Sequence, residues 1–246
     1  MIRAVLFDLW GTLIMDDPQS SADRRVLRAS GAQSALDGLG VTYPITDVIA
    51  AFDAAGSALE RVHATERDLS ARGRTILYLR HLDADLPDRL DDDGWRALDA
   101  AILSPALEHR PVIMPDAAET LDAIKRLGLT VGLVSNAGAT PGFVLRELLG
   151  HFGLLPFFDD LVFSDEVELS KPAPAIFAHA LEQFGLTPTD AAFVGDQPIL
   201  DVLGARRAGL WSIQIGDLPP DGAEPHGRID TLSDLLPTLR DLKLVG

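Results

Sequence analysis

Four short apolar runs in this sequence each end in side chains suited to ester chemistry. Ala4–Phe7 runs into Asp8-Leu-Trp-Gly-Thr12, and Leu129–Val134 into Ser135-Asn136. Leu161–Phe163 runs into Ser164-Asp165, with Lys171 following, and Ala191–Val194 into Gly195-Asp196, with Asp201 close behind. Open parallel sheets bind ligands beyond the carboxyl ends of their strands, so an acid, a hydroxyl, an ammonium and two further acids are expected along one edge. That set suits phosphoryl transfer through a covalent aspartate. A carboxylate attacks phosphorus only when the negative charge on both partners is offset, which oxygen-held Mg²⁺ and a lysine accomplish. Asp8 is the expected nucleophile. Asp8, Asp196 and the main-chain carbonyl of Trp10 are the expected Mg²⁺ ligands, with Asp201 acting from outside them. The Ser135 hydroxyl and the amides of Asn136 and Ala137 are expected to receive phosphate oxygens. Gly11 and Thr12 turn the first loop tightly around the ligand, and Lys171 neutralises nucleophile and phosphate together.

The elements that must position these groups read as α/β. The four runs above and Trp211–Ile215 are too short for helices, and several are rich in β-branched or aromatic residues, which predicts strands buried on both faces. Between them lie helical patterns, Pro115–Leu127 and Pro172–Phe184, stopped by Gly128 and Gly185. This alternation predicts a Rossmann-like parallel sheet with helices on both faces. Residues 16–111 break the rhythm. Val48, Phe52, Ala55, Leu59 and Val62 form a helical seam, and Trp95, Leu98 and Ile102 follow the same spacing. An α-helical domain inserted after the first strand is therefore expected at 16–111, with the core formed by 1–15 and 112–246. Asp91-Asp92-Asp93 reads as a helix start, its charge favoured by the helix dipole.

Composition narrows the partners. The 246 residues carry 21 basic and 37 acidic side chains, a formal charge of −16, so neither nucleic acid nor an anionic membrane surface is an expected partner. A small anionic substrate is still admissible, because a local positive pocket overrides the global field. Cysteine is absent, which removes disulfides, thiolate nucleophiles and sulfur-held metals. The first residues lack a signal-peptide pattern, and the uncharged run Leu127–Leu145 holds too many polar and turn residues to span a bilayer, so a cytoplasmic location is expected.

The four motifs, Asp8-Leu-Trp-Gly-Thr12, Ser135-Asn136, Lys171-Pro and Gly195-Asp-Gln-Pro-Ile-Leu-Asp201, resemble those of the haloacid dehalogenase (HAD) superfamily in order and in strand-end placement. The resemblance covers most of 1–15 and 112–246, including Gly204-Ala-Arg-Arg-Ala-Gly-Leu210. It implies that the helical insertion is a cap that closes over the site, excluding water and selecting substrate.

One residue departs from the pattern. Phosphatases of this superfamily place a second aspartate two residues after the nucleophile, as acid to the leaving group and base to the attacking water. Here it is Trp10, and indole has no titratable proton near neutral pH. The haloacid dehalogenases carry a tyrosine there and form an aspartyl ester with carbon. Those enzymes, however, need no metal and lack the acid corresponding to Asp196. They also require a cap arginine, and none of Arg24, Arg25, Arg28 and Arg61 lies in an alignable motif. The favoured reading is a Mg²⁺-dependent phosphatase of a small phosphomonoester, acting through aspartyl-phosphate on Asp8. The alternatives are a 2-haloacid dehalogenase-type hydrolase and a catalytically impaired protein that binds a phosphorylated metabolite.

Overall fold

The computed structural model describes residues 1–217 and 223–246. Strand β1, Ala4–Phe7, is buried throughout. It is followed by the two-residue β2, Ile14–Met15. Five helices come next. Helix α1 spans Pro18–Gly38, its first turn capped by Asp17, which accepts from the amides of Gln19 and Ser20. Helix α2 spans Ile45–His63, and α3, Ala71–Leu82, is capped by Ser70. Helix α4 spans Asp92–Leu103; as the acidic run Asp91–Asp93 suggests, Asp91 accepts the Gly94 amide at 2.8 Å. The short α5, Pro105–Glu108, precedes β3, Val112–Ile113. β3 pairs antiparallel with β2, Ile14 opposite Ile113, so one two-stranded ribbon carries the chain out to the helices and back.

The alternation then resumes with α6 (Ala117–Arg126), β4 (Thr130–Ser135), α7 (Gly142–His151) and β5 (Asp160–Phe163). It continues through α8 (Ser164–Val167), α9 (Pro174–Phe184) and β6 (Ala191–Gly195). A π-helical turn, Pro198–Leu203, leads into α10 (Gly204–Ala208). β7 (Trp211–Ile215), β8 (Gly227–Ile229) and α11 (Leu235–Asp241) end the chain.

The main sheet has the order β5-β4-β1-β6-β7-β8 with every pair parallel, the α/β architecture that the sequence predicts. From β1 the chain builds outward through β4 and β5, then returns to β6 on the other side, so β1 is the topological switch point. Alternation along β1 sends Val5 and Phe7 to one face and Ala4 and Leu6 to the other. The first face packs with Leu121, Ile124, Leu145 and Leu148, the second with Ile176, Phe177 and Phe193. A third core, among Leu36, Val48, Leu79, Leu98 and Ile102, holds α1–α4 together.

Two elements carry no clear sequence signal. The three-residue β8 lies at the sheet edge and offers too short a pattern, while α7 begins inside the long uncharged run, where helical spacing is masked by Gly and Pro. Helix α6 starts at Ala117, later than the predicted Pro115, because Asp116 takes a left-handed conformation with φ 61°. Among the described residues, no helix is long and apolar enough to cross a membrane.

Candidate active site

Asp8 sits one residue beyond β1, its amide still in the sheet through a 2.9 Å bond to the Val194 carbonyl. Its Oδ1 lies 2.5 Å from Lys171 Nζ, which also reaches Asp201 Oδ1 at 2.7 Å, all three side chains being buried. Burial pushes the Asp8 carboxyl above the ordinary range; Lys171 pulls it back, and the Asp201 charge pushes it further up. Burial pulls the Lys171 pKa down, but the Asp201 and Asp8 carboxylates outweigh it and raise the pKa above its ordinary value. Asn136 fixes where this lysine emerges. Its Oδ1 accepts the Lys171 amide at 2.9 Å and its Nδ2 donates to the Lys171 carbonyl at 3.1 Å. The Asn136 side chain is thus committed to the lysine's backbone, while the expectation for this residue concerns its main-chain amide.

Two glycines make room for Asp196 and Asp201. Gly11 has φ +78°, and a Cβ there would lie 2.4 Å from Asp196 Oδ2, so any side chain would evict the carboxylate. A Cβ on Gly195 would meet Asp201 Oδ2 at 2.3 Å. Asp201 Oδ2 accepts the Gln197 amide at 2.9 Å, and Asp196 Oδ2 accepts from Gln197 Nε2 at 2.8 Å. Asp196 Oδ1 is buried with no hydrogen-bond partner. Burial, then the Asp201 charge, raise the Asp196 pKa. One oxygen each from Asp8, Asp196 and Asp201 lie within 4.8 Å of one another. Three carboxylates against one ammonium leave this buried cluster with excess negative charge, and one oxygen is unsatisfied. The donor set therefore fits a hard divalent cation.

The remaining expected residues lie around this centre. Trp10 stands in a turn closed by Gly11 N–H to the Ile14 carbonyl, 2.8 Å, and Ile14 N–H to the Leu9 carbonyl, 3.0 Å. Neither bond uses the Trp10 carbonyl. The indole is partly buried against the sheet core and also lines a cavity of about 580 Å³ with Arg24, Arg28, Ala137 and Ala139. Thr12 is buried, and its hydroxyl finds no partner. The Ser135 hydroxyl makes one long contact, 3.4 Å to the Asn136 carbonyl. The Ala137 amide, expected to bind phosphate, instead donates to Ser164 Oγ at 2.8 Å. Asp165, a strand-end acid, faces away from Lys171: both its oxygens accept the Gly142 amide, at 3.1 and 3.2 Å, where α7 begins.

Sequence reasoning misses a second buried cluster, on the loop between α2 and α3. Asp68 Oδ2 accepts from Ser164 Oγ and from Arg74 Nη2, each at 2.5 Å, and Asp68 Oδ1 lies 3.0 Å from His63 Nε2. Arg74 also donates to the Gly138 carbonyl. The same loop is laced to the chain just before Lys171. Ser170 N–H donates to the Glu66 carbonyl at 3.2 Å, and Asp68 N–H to the Glu168 carbonyl at 3.3 Å. The helical insertion thereby grips both segments that deliver Asn136 and Lys171. No spacing in the sequence marks Asp68: His63 and Arg74 are near it in the chain, but Ser164 meets it only through the fold.

Comparison with known proteins places this arrangement. The description of haloacid dehalogenase-like hydrolases matches residues 2–209. The chain belongs to the haloacid dehalogenase-like hydrolase family. The resemblance of the four motifs is thus borne out, and the protein is an enzyme of the hydrolase class. It is similar to phosphoserine phosphatase of Thermus thermophilus, 29% identical over 254 residues that take in 95% of this chain and 98% of the relative. It is also similar to glyceraldehyde 3-phosphate phosphatase of Methanopyrus kandleri, 33% identical over 135 residues, 52% of this chain and 57% of that relative. In fold, the 2-haloacid dehalogenase of Pseudomonas syringae pv. Tomato superposes with TM-score 0.68 at 22% identity, covering 98% of this chain and 100% of the other.

Proposed function

We propose that this haloacid dehalogenase-like hydrolase is a Mg²⁺-dependent phosphatase of small phosphomonoesters, with Asp8 as nucleophile and α1–α5 as the cap over it. The observation that carries the reading is the buried, unpartnered Asp196 Oδ1 beside Asp8 and Asp201. An ester-forming aspartate that works on carbon has no use for a further pair of carboxylates, whose mutual repulsion only raises its pKa. The similarity to two proteins named as phosphatases of small phosphorylated metabolites supports the same choice.

Asp8, Asp196 and the Trp10 carbonyl would hold the cation, with Asp201 outside them bonded to Lys171. When bound, Mg²⁺ supplies neutralising charge to the phosphoryl oxygens. Asp8 Oδ2, the oxygen not held by Lys171, attacks phosphorus; the Asp8–phosphorus bond forms as the bond from phosphorus to the alcohol oxygen breaks. Lys171 draws the Asp8 pKa down against burial and offsets the incoming phosphate, while the Ser135 hydroxyl turns from its long contact to a phosphoryl oxygen. Water then attacks the same phosphorus, Asp8 departs as carboxylate, and inorganic phosphate leaves. Trp10 cannot protonate the alcohol, so that proton comes from solvent or from the substrate itself.

The test is phosphate release from a panel of small phosphomonoesters with Mg²⁺ and with chelator. The proposal expects metal-dependent release. Release indifferent to chelator, or halide release from 2-haloacids in its place, would overturn it.

A further inference from the structure

Several sequence features of the insertion read as core packing, yet the structure leaves part of them unpacked. Of the seam on α2, Val48 and Ala55 are buried in the core, whereas Phe52 and Leu59 are only half-buried. Together with Ala55, Leu77, Tyr78 and Leu103 they wall a cavity of about 210 Å³. The Phe52 and Tyr78 rings stack with centroids 3.6 Å apart and planes 15° from parallel, and both residues line the cavity. Tyr78 is 2% exposed, and its hydroxyl has no hydrogen-bond partner. An unsatisfied buried hydroxyl is costly and calls for a reason.

The position of the cavity supplies one. Arg25, Arg28, Gly138 and Ala139 line both this cavity and the larger one beside Trp10, so the two chambers share a wall. Arg25 is paired with Asp53 and Arg24 with Asp16. Arg28 is held by the Ile102 carbonyl at 2.8 Å and the Ala139 carbonyl at 3.3 Å, its side chain spanning the boundary. Trp10, two residues after Asp8, and Ala137, two after Ser135, line the larger cavity, and Phe52 and Tyr78 line the smaller one across Arg28. An apolar cavity of roughly 150 Å³ accepts a benzene ring, so the inner chamber holds a ring or a chain of about six carbons.

We infer that this chamber is a subsite for the substrate's leaving group, which carries an apolar body of that size tipped with a hydrogen-bonding group that meets the Tyr78 hydroxyl. The phosphate end of the ligand rests on the function proposed above; the apolar subsite does not.

The experiment titrates the intact protein, with Mg²⁺, with n-alkylphosphonates from methyl to octyl and with 6-hydroxyhexylphosphonate, by calorimetry. The same compounds are run as inhibitors of p-nitrophenyl phosphate hydrolysis. Affinity is expected to rise about fourfold per methylene until the chamber fills, then level off. Ala55→Leu, which occupies the chamber, should abolish the gain beyond the shortest chains. Tyr78→Phe should weaken the hydroxyhexyl compound about tenfold relative to the hexyl compound. An affinity independent of chain length in the wild-type protein overturns the subsite, even if neither variant folds. Chain-length dependence without any turnover of p-nitrophenyl phosphate overturns the phosphatase reading and leaves the subsite standing.

Discussion

Asp68 Oδ2 lies 2.5 Å from the Ser164 hydroxyl, and that hydroxyl in turn takes the Ala137 amide at 2.8 Å. A carboxylate on the inserted helices thus reaches, through one serine, the backbone of the loop that follows Ser135. The contact is buried and doubly charged, with Arg74 completing it. Removing one partner of such a pair strands the other charge, at a cost of about 3–5 kcal/mol. Asp68→Ala should therefore lower the melting temperature by about 10 °C and depress turnover, and Asp68→Asn, which still accepts from Ser164, should recover part of the turnover. Thermal melts and steady-state rates on both variants check this. Equal turnover in the two would show that Ser164 is not the route.

The same carboxylate sets a pH dependence. Burial raises the Asp68 pKa, but the nearby His63 imidazole, the Arg74 charge and the Ser164 hydroxyl more than compensate and leave it below the usual range. Its folded-state pKa is lower than its unfolded value, so its contribution to stability is fully present above about pH 4 and is lost as pH falls through the depressed value. The difference in melting temperature between wild type and Asp68→Ala should accordingly shrink as pH falls below about 4. A difference that grows as pH falls below about 4 contradicts the assignment.

Metal binding is testable without activity. Mg²⁺ that binds only the folded chain raises its melting temperature by mass action. The wild-type protein should show this rise, and Asp196→Asn should not. Gly11→Ala should lose it as well, because its Cβ would fall 2.4 Å from Asp196 Oδ2. An undiminished rise in both variants would place the cation elsewhere.

Trp10 predicts a particular substrate dependence. General acid catalysis contributes about 10²–10⁴-fold, and without it the rate depends on how well the leaving group departs unaided. Phosphate esters of acidic phenols should therefore react far faster than those of simple alcohols. Trp10→Asp should narrow the gap by raising the rate on alkyl esters, about 10²-fold or more. Equal rates on phenolic and alkyl esters in the wild type would reveal another acid.

The sequence makes legible what depends on local pattern. The strands holding Asp8, Ser135 and Asp196 are apolar runs bounded by turns, and buried parallel strands have no other signature. Lys171 is one of three lysines in the chain and stands just before the Pro-Ala-Pro that leads into α9, so it too is conspicuous. Residues whose roles depend on contacts between distant segments are hidden. The Asn136 side chain anchors the Lys171 backbone, 35 positions away, a role that no local pattern announces. Asp68 is one acid among many in an acidic chain, and only the fold brings Ser164, 96 positions away, against it. Phe52 has core spacing, yet the helices around it leave a chamber.

The central claim is that Asp8 is esterified by phosphate in each turnover. Rapid quenching during hydrolysis of a radiolabelled phosphomonoester, followed by peptide mapping, measures it directly. The account predicts label on the peptide that contains Asp8, released by hydroxylamine as an acyl phosphate would be, and neither label nor turnover in Asp8→Asn. Turnover in Asp8→Asn equal to wild type, or steady hydrolysis with no protein-bound phosphate at any quench time, would contradict it.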